Sequence, residues 1–544
     1  MAGRSRKKTA RAARPHVKRA PFLQRLDSAV RDHSRQVLLV SLFFNLVLCL
    51  ALFDPKPHTG GDNASYIILA ESILRSGDGY SDNITPGPPK PHTQYPFGYS
   101  LLLAPLIALA GRSVVLLKLF SVLMAVGSVA VFSRLLRRIS PPLVWAALTL
   151  AAALNPVIVE YSHGILSEIV FLFFSLLALC LLLESEEEEQ GRMGKKFWMA
   201  LIAVAFTAHI RSAGAGFVIA VFVYYALRRR WRTLAVFTLS MVLLLSPWMI
   251  RNRIVRQDDS GYVGQLFMKN PYAPEEGAAG VSDLAVRFIE NVGIYSGSEV
   301  GRVILGTVGF SREDLLVKIV SITAAILLVA GLIGRLAGGV RVLEVYLIVY
   351  FGVVLIWPEV WSDVRFILPV APLILYYTVQ GAVLAGRLAA RGLKKESFSA
   401  VAAAAALAIA LTGLTVQLKR LPDNTGMLGK FLRGDRYAGY PVNWRYLYES
   451  ADWVRENTPE TSVVTVRKPR LFYLHTGRRV DGYPFTTDTD SVLARICATD
   501  YVVIDAVSGT TYRYLVPAVQ KDPGRFKMVF RRERPFTGVL EVVR

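Results

Sequence analysis

The chain has 544 residues, 53% of them hydrophobic and only 19% charged, with a mean hydropathy of +0.39 and a net charge of +22. That balance excludes an ordinary soluble domain. The positive charge does not point to nucleic acid, because the basic residues cluster in short segments between apolar blocks, as the loops of a membrane protein do.

Residues 1–35, including RSRKKTARAARPHVKR, are basic and have no apolar core, so they are not a cleavable signal peptide. They read as a disordered cytoplasmic tail or as a segment that touches anionic headgroups. Beyond them come apolar blocks long enough to cross a hydrocarbon core of ~30 Å. The predicted spans are 36–53, 114–133, 143–158, 169–183, 197–210, 213–227, 233–249, 316–334, 342–357, 366–386 and 398–418. As one helix, 197–227 would run ~46 Å, too long for one crossing. It has Arg192, Lys195 and Lys196 on one side and Arg228, Arg229, Arg230 and Arg232 on the other. Both flanks favour the cytoplasm, so the chain crosses twice and turns at His209 and Arg211. Leu101–Ala110 is too short to span and reads as an interfacial or re-entrant helix.

The expected architecture is a polytopic α-helical membrane protein with about eleven transmembrane helices. Arg134, Arg137, Arg138, Arg335, Arg341, Arg387, Arg391, Lys394 and Lys395 join the flanks above as inside charges. The N-terminus is then cytoplasmic and residues 419–544 lie outside. The tail 1–35, a membrane domain over 36–418 and an extracytoplasmic domain over 419–544 make up the expected organisation. Its first outer loop is 54–113 and its second is 250–315. In the last domain Asn443 is placed to cap a helix over 444–457, and 488–499 reads as another helix. SVVTV (462–466), YVVID (501–505) and GVLEVV (538–543) read as buried strands. Alternating helix and strand predicts a small α/β fold. The three cysteines, Cys49, Cys180 and Cys497, form neither a disulfide framework nor a zinc spacing.

The outer turns hold the candidate chemistry. Asp62 and Glu71 lie in the first loop, Glu160, His163 and Glu168 in VEYSHGILSEI, His209 and Arg211 in AHIRSAG, and Asp363 and Arg365 in WSDVRFILP. Charges at the ends of apolar blocks sit near the interface, where they cost far less than at mid-span. They read either as a polar cavity at the membrane surface or as ordinary snorkelling anchors. Asp62 precedes NASYIILAESIL and fits a helix N-cap. The stripe Tyr66, Ile67, Ala70, Ile73 and Leu74 would lay that helix on the membrane. Capping and catalysis are compatible, because a fixed carboxylate is also a positioned one. Glu160 and His163 share a helix face at i, i+3, a weak metal signal, so a divalent metal stays open. Two Asn-X-Ser/Thr triplets, at Asn63 and Asn83, read as coincidence.

Taken in order, Asp62 with its helix, YPFGYSLLLAPL (95–106), LSEIVFLFFSLLAL (166–179), HIRSAGAGFVIAVFVYYALRRRWR (209–232), LLLLSPWMIRNRIV (242–255) and DVRFILPVAPLIL (363–375) resemble the GT-C class of membrane glycosyltransferases. The likeness is to bacterial relatives of the protein O-mannosyltransferases and of the lipid A aminoarabinose transferases. VRKPRLFYLHTGRRV (466–480) and TDYVVID (499–505) resemble their extracytoplasmic domain. The resemblance implies sugar transfer from a polyprenyl-phosphate donor to a glycan, lipid or protein acceptor. The setting it implies is the outer face of a bacterial cytoplasmic membrane, among membrane lipids. It puts Asp62 at the reaction centre, with Arg211 and Arg365 on the donor phosphate. Asn63 stands where many members have a second acid, so a partner acid would come from Glu168 or Glu160. His163, His209, Asp363 and Tyr95 are expected around the same polar cavity. The competing readings are a transporter or lipid flippase, and a non-catalytic scaffold whose outer domain binds a glycan or a protein.

Overall fold

Inside lipid every backbone N–H and C=O needs a partner within its own segment, so the apolar blocks fold as helices. The computed structural model describes residues 22–75, 79–188, 193–255, 262–389 and 395–544. Seven of the described helices are long and apolar enough to cross a membrane: Ser34–Ala51, Val114–Ile139, Ser167–Glu188, Trp231–Val255, Leu315–Leu336, Val364–Ala389 and Ser397–Leu432. The remaining predicted spans fall on shorter helices, Pro142–Ala153, Lys195–Ile210, Gly214–Leu227 and Val342–Leu355. The protein is a multi-pass helical membrane protein with a small C-terminal sheet.

Ser167–Glu188 and Val364–Ala389 are the central helices, each 83% buried where no other span candidate exceeds 39%. Around them, helices approach closely where glycine removes the side chain. A Cβ on Gly331 would lie 2.0 Å from the Tyr377 carbonyl oxygen, and one on Gly381 would lie 1.9 Å from that of Leu327. Small residues of this kind let membrane helices touch backbone to backbone.

Several expectations change. The expected tail is helical over Phe22–Asp32, and Asp27 accepts a hydrogen bond from the Leu143 amide at 3.0 Å. Residues 1–21, Arg192, Arg391 and Lys394 lie outside the described residues. The span expected at 143–158 breaks after Ala153. Asn155 caps a new helix, Pro156–Tyr161, by accepting from the amides of Val157 and Ile158, and its Nδ2 donates to the Val303 carbonyl at 2.8 Å. The last predicted span, 398–418, is part of a longer helix, Lys395–Leu432. The second long loop carries its own helix, Val281–Ile294. The short helix Gly98–Ala110 packs under the first loop, and a Cβ on Gly98 would sit 2.6 Å from the His209 carbonyl oxygen.

The first loop holds a hairpin of β1 (Ser81–Asp82) and β2 (Lys90–Pro91). The C-terminal unit has β3 (Val463–Thr465), β4 (Arg479–Asp481), β5 (Tyr501–Ile504), β6 (Phe526–Arg532) and β7 (Thr537–Val542), in the order β4-β3-β5-β7-β6. β4, β3 and β5 run parallel, and β7 pairs antiparallel with β5 and β6. The three expected strands and both expected helices are present, the helices as Val442–Asn457 and Thr489–Cys497. Asn443 does not cap: it lies inside the first turn, where its Nδ2 donates to the Ala506 carbonyl. At the free edge, the Val480 amide of β4 donates to the Ile84 carbonyl at 2.9 Å, so the first loop closes the sheet.

Candidate active site

Gly61 adopts the left-handed conformation, φ +89°, which a side chain would strain, and so turns the chain sharply into the helix Asp62–Leu74. That helix does not lie on the membrane. Asn63 through Ala70 are all buried. Tyr66, Ile67 and Ala70 pack into the transmembrane core, while Ile68 packs into the core of the C-terminal unit. Asp62 does not cap its helix either. Gly61 holds the cap position, and the Asp62 carboxylate turns to two other partners.

Those partners come from distant parts of the chain. Tyr95 donates its hydroxyl to Asp62 Oδ1 at 3.0 Å, and Arg365 Nη2 lies 2.7 Å from Oδ2. Arg365 Nε also pairs with Glu168 Oε1. The same Glu168 oxygen lies 2.5 Å from Arg211 Nη1, which donates further to Ser167 Oγ at 3.2 Å. Ser167 is hydrogen-bonded to the Tyr66 hydroxyl at 3.0 Å. Glu168 and Arg365 thus meet because the two central helices begin side by side. Two carboxylates and two guanidiniums balance in charge, as buried ions must.

The cluster forms one wall of a cavity of about 610 Å³. Asp62, Tyr95, Arg211, Asp363 and Arg365 all line it, with Tyr66, Tyr161, Tyr350, Trp357 and Trp361. Asp62 and Glu168 differ in access: the Asp62 side chain is 27% exposed and that of Glu168 is fully buried. Asp363 Oδ1 accepts from the Arg365 amide at 3.0 Å, capping the helix Val364–Ile367 and holding Arg365 in place. His58 also lines the cavity, and burial, with the nearby charges of Arg365 and Lys118, pushes its pKa below the usual imidazole value.

Three expected cavity residues stand elsewhere. Glu160 accepts from the Thr307 hydroxyl and lies 3.7 Å from Arg420. His163 is buried against Phe53 and bonded to the Cys49 carbonyl at 2.7 Å. His209 is bonded to the Leu244 carbonyl and packs on Phe97. Asn63 is buried and does not line the cavity. Among the described residues no three His, Cys, Asp or Glu side chains gather to hold a metal, and Glu160 and His163 turn to different partners.

Apart from Tyr95, the tyrosines and tryptophans of the wall were not anticipated as cavity residues. Tyr161 is the neighbour of Glu160, and Trp357 and Trp361 lie within the six residues before Asp363, so aromatics flanking charged turns were the available signal. His92 was also missed. Its Nε2 accepts the Tyr95 amide at 2.9 Å, and its ring lies 5.1 Å from that of Tyr95. Burial, with Arg470 and Arg251 nearby, pushes its pKa down to about 3, so it is neutral and able to accept.

Residues 104–260 match the model of the family described as Dolichyl-phosphate-mannose-protein mannosyltransferase. No curated protein matches the chain significantly in sequence. Among solved structures, ArnT from Cupriavidus metallidurans bound to undecaprenyl phosphate is similar with a TM-score of 0.53 and 15% identity, over 92% of this chain and 97% of that one. Its apo form gives a TM-score of 0.55 at 14% identity, over 93% and 98% of the two chains. The Archaeoglobus fulgidus oligosaccharyltransferase tethered with an acceptor peptide gives 0.53 at 15% identity, over 93% of this chain and 74% of that one. The agreement runs through both the helical bundle and the C-terminal unit, and the chain has the fold of the GT-C class of membrane glycosyltransferases.

Proposed function

We propose that the protein transfers a sugar from a polyprenyl-phosphate-linked donor to an acceptor hydroxyl. The observation that carries this reading is Asp62: a carboxylate with access to a large cavity, held on one side by Tyr95 and on the other by an arginine tied to a buried glutamate. The similar ArnT structure holds undecaprenyl phosphate, which supports a polyprenyl-phosphate donor here.

Asp62 takes the proton of the acceptor hydroxyl as its oxygen attacks the anomeric carbon. The bond from that carbon to the phosphate oxygen breaks as the new glycosidic bond forms, in line and with inversion. Polyprenyl phosphate leaves with the electron pair. Arg211 and Arg365 stabilise the charge on the departing phosphate; Arg365 gives Nε to Glu168 and Nη2 to Asp62, and the rest of its five donors remain. Glu168, locked between both arginines and closed to solvent, positions them and is not the base. A polar and apolar cavity with an aromatic rim suits a sugar carried on a lipid.

We place the chain in the bacterial cytoplasmic membrane with its N-terminus cytoplasmic and its C-terminal unit outside. In support, Arg134, Arg138 and Lys196 gather at Glu184, at the end of the central helix opposite Glu168. A transport path gains no comparable support, because the ionisable cluster sits at the starts of the central helices rather than at mid-span.

The test is release of polyprenyl phosphate by purified protein given a panel of polyprenyl-phosphate sugars. Asp62→Asn, with an unchanged melting curve, is expected to lower release by at least about 100-fold. Wild-type turnover in that variant removes Asp62 as the base, and no release with any donor removes the reading itself.

A further inference from the structure

A second pocket, of about 340 Å³, lies where the first-loop hairpin meets the C-terminal unit. We propose that it seats a carbohydrate portion of the acceptor, so that the acceptor is itself a sugar or glycan. This rests on the transfer reaction above and names its second substrate.

The chemistry of the wall selects the class. Asp82, Thr85 and His92 come from the first loop, and Arg470 and Asp481 from the C-terminal unit. Most of the charge is matched: Arg470 lies 2.6 Å from Asp82, and Asp481 lies 2.6 Å from Arg495, while the exposed Lys90 adds one cation at the rim. A wall with two paired carboxylates and a single exposed lysine offers only a weak field to capture an anion, but it offers many fixed donors and acceptors. Asp82 Oδ1 is buried and has no hydrogen-bond partner among the described residues, which leaves an acceptor for a ligand hydroxyl. Neutral polyols match such a surface, and a lipid tail does not. A peptide adding as a strand is also disfavoured, because the edge of β4 is taken by the Ile84 carbonyl. The volume fits the small end of ligand pockets, about 300–1,000 Å³.

The position fits as well. Gln94 belongs to the walls of both cavities. The next residue, Tyr95, donates to Asp62. A sugar seated against Gln94 in the outer pocket therefore lies beside the residue whose hydroxyl holds the Asp62 carboxylate.

Gly482 allows a clean block. It lines the pocket, and a Cβ there would meet nothing within 4 Å. The full-length protein in detergent, wild type, Gly482→Phe and Asp82→Asn, is titrated with methyl glycosides of mono- and disaccharides, and separately with polyprenyl phosphate. At least one glycoside is expected to bind the wild type and to lose about tenfold or more in affinity in both variants. Polyprenyl phosphate affinity should stay within about twofold, which also reports that each variant is folded. The proposal is overturned if no glycoside binds the wild type, or if the glycoside binds Gly482→Phe as well as wild type. Failure of the transfer reading looks different: the wild type then releases no polyprenyl phosphate from any donor, whatever the glycosides do.

Discussion

The helix Ser167–Glu188 carries a buried glutamate near each end, and both are ringed by cations. Glu168 is fully buried and Glu184 is 1% exposed. At the Glu184 end Arg134, Arg138 and Lys196 keep 52%, 30% and 28% of their side chains in contact with solvent. At the Glu168 end Arg211 and Arg365 keep only 14% and 22%, and Arg365 is shared with Asp62. A carboxylate among arginines is therefore not enough to mark a site. What separates the two ends is a second carboxylate facing a cavity, with cations that cannot turn away to water when their partner is lost.

That contrast can be broken by substitution at either end. Glu168→Gln leaves the poorly exposed Arg211 without its carboxylate and Arg365 with Asp62 alone, and should cost about 3–5 kcal/mol of stability, read from thermal melting, together with most of the transfer activity. Acid distinguishes the ends next. His92 is held neutral at the cavity end with a folded pKa of about 3, whereas the unfolded chain takes up its proton below about 6.5. The stability it contributes is present above pH ~6.5 and is lost as the pH falls toward its folded value, by about 2 kcal/mol at pH 5. His92→Gln should flatten the fall in melting temperature between pH 7.5 and 5; an identical slope in the variant would dismiss the effect. Tyr95→Phe removes one hydrogen bond to Asp62, and transfer should drop about tenfold, ~1.5 kcal/mol, with little change in melting. The smallest effect belongs to Glu184→Gln. Its cations already reach solvent, so about 1 kcal/mol or less is expected, with transfer per folded molecule unchanged. Equal losses of transfer at Glu184 and Glu168 would erase the distinction between the two ends.

The spans were legible because their pattern is dictated locally: apolar length and flanking arginines mark them without reference to the rest of the chain. The His209–Arg211 turn was found this way, and Lys195–Ile210 and Gly214–Leu227 flank it as two helices. The break at Asn155 was not legible, since Asn155 stabilises it by reaching a carbonyl 148 residues away. The charged turns were visible as candidates, but which of them converge depends on helix packing. Arg365 meets Asp62 across 303 residues and Glu168 across 197. His163 and His209 carried the same local signal and went to backbone carbonyls instead. The cap expected of Asp62 failed for a similar reason: a distant guanidinium and a tyrosine outcompete the first-turn amides for its oxygens. Strands β4 and β6 went unseen: β4 (Arg479–Asp481) carries one apolar residue between two charged ones, where the equally short β3 lies in an apolar run.

The seam between the first loop and β4 also sets an order of events in synthesis. Ile84 leaves the ribosome almost 400 residues before its partner Val480, and Arg479 reaches back 396 residues to Asn83. Contacts that distant in sequence form late, after the intervening chain has been threaded and packed. The hairpin, the outer pocket and the helix that bears Asp62 must wait for the C-terminal sheet to arrive. A nascent chain with all its membrane helices in place would still lack the outer pocket and the packing around Ile68, so residues made late complete the surroundings of a helix made among the first.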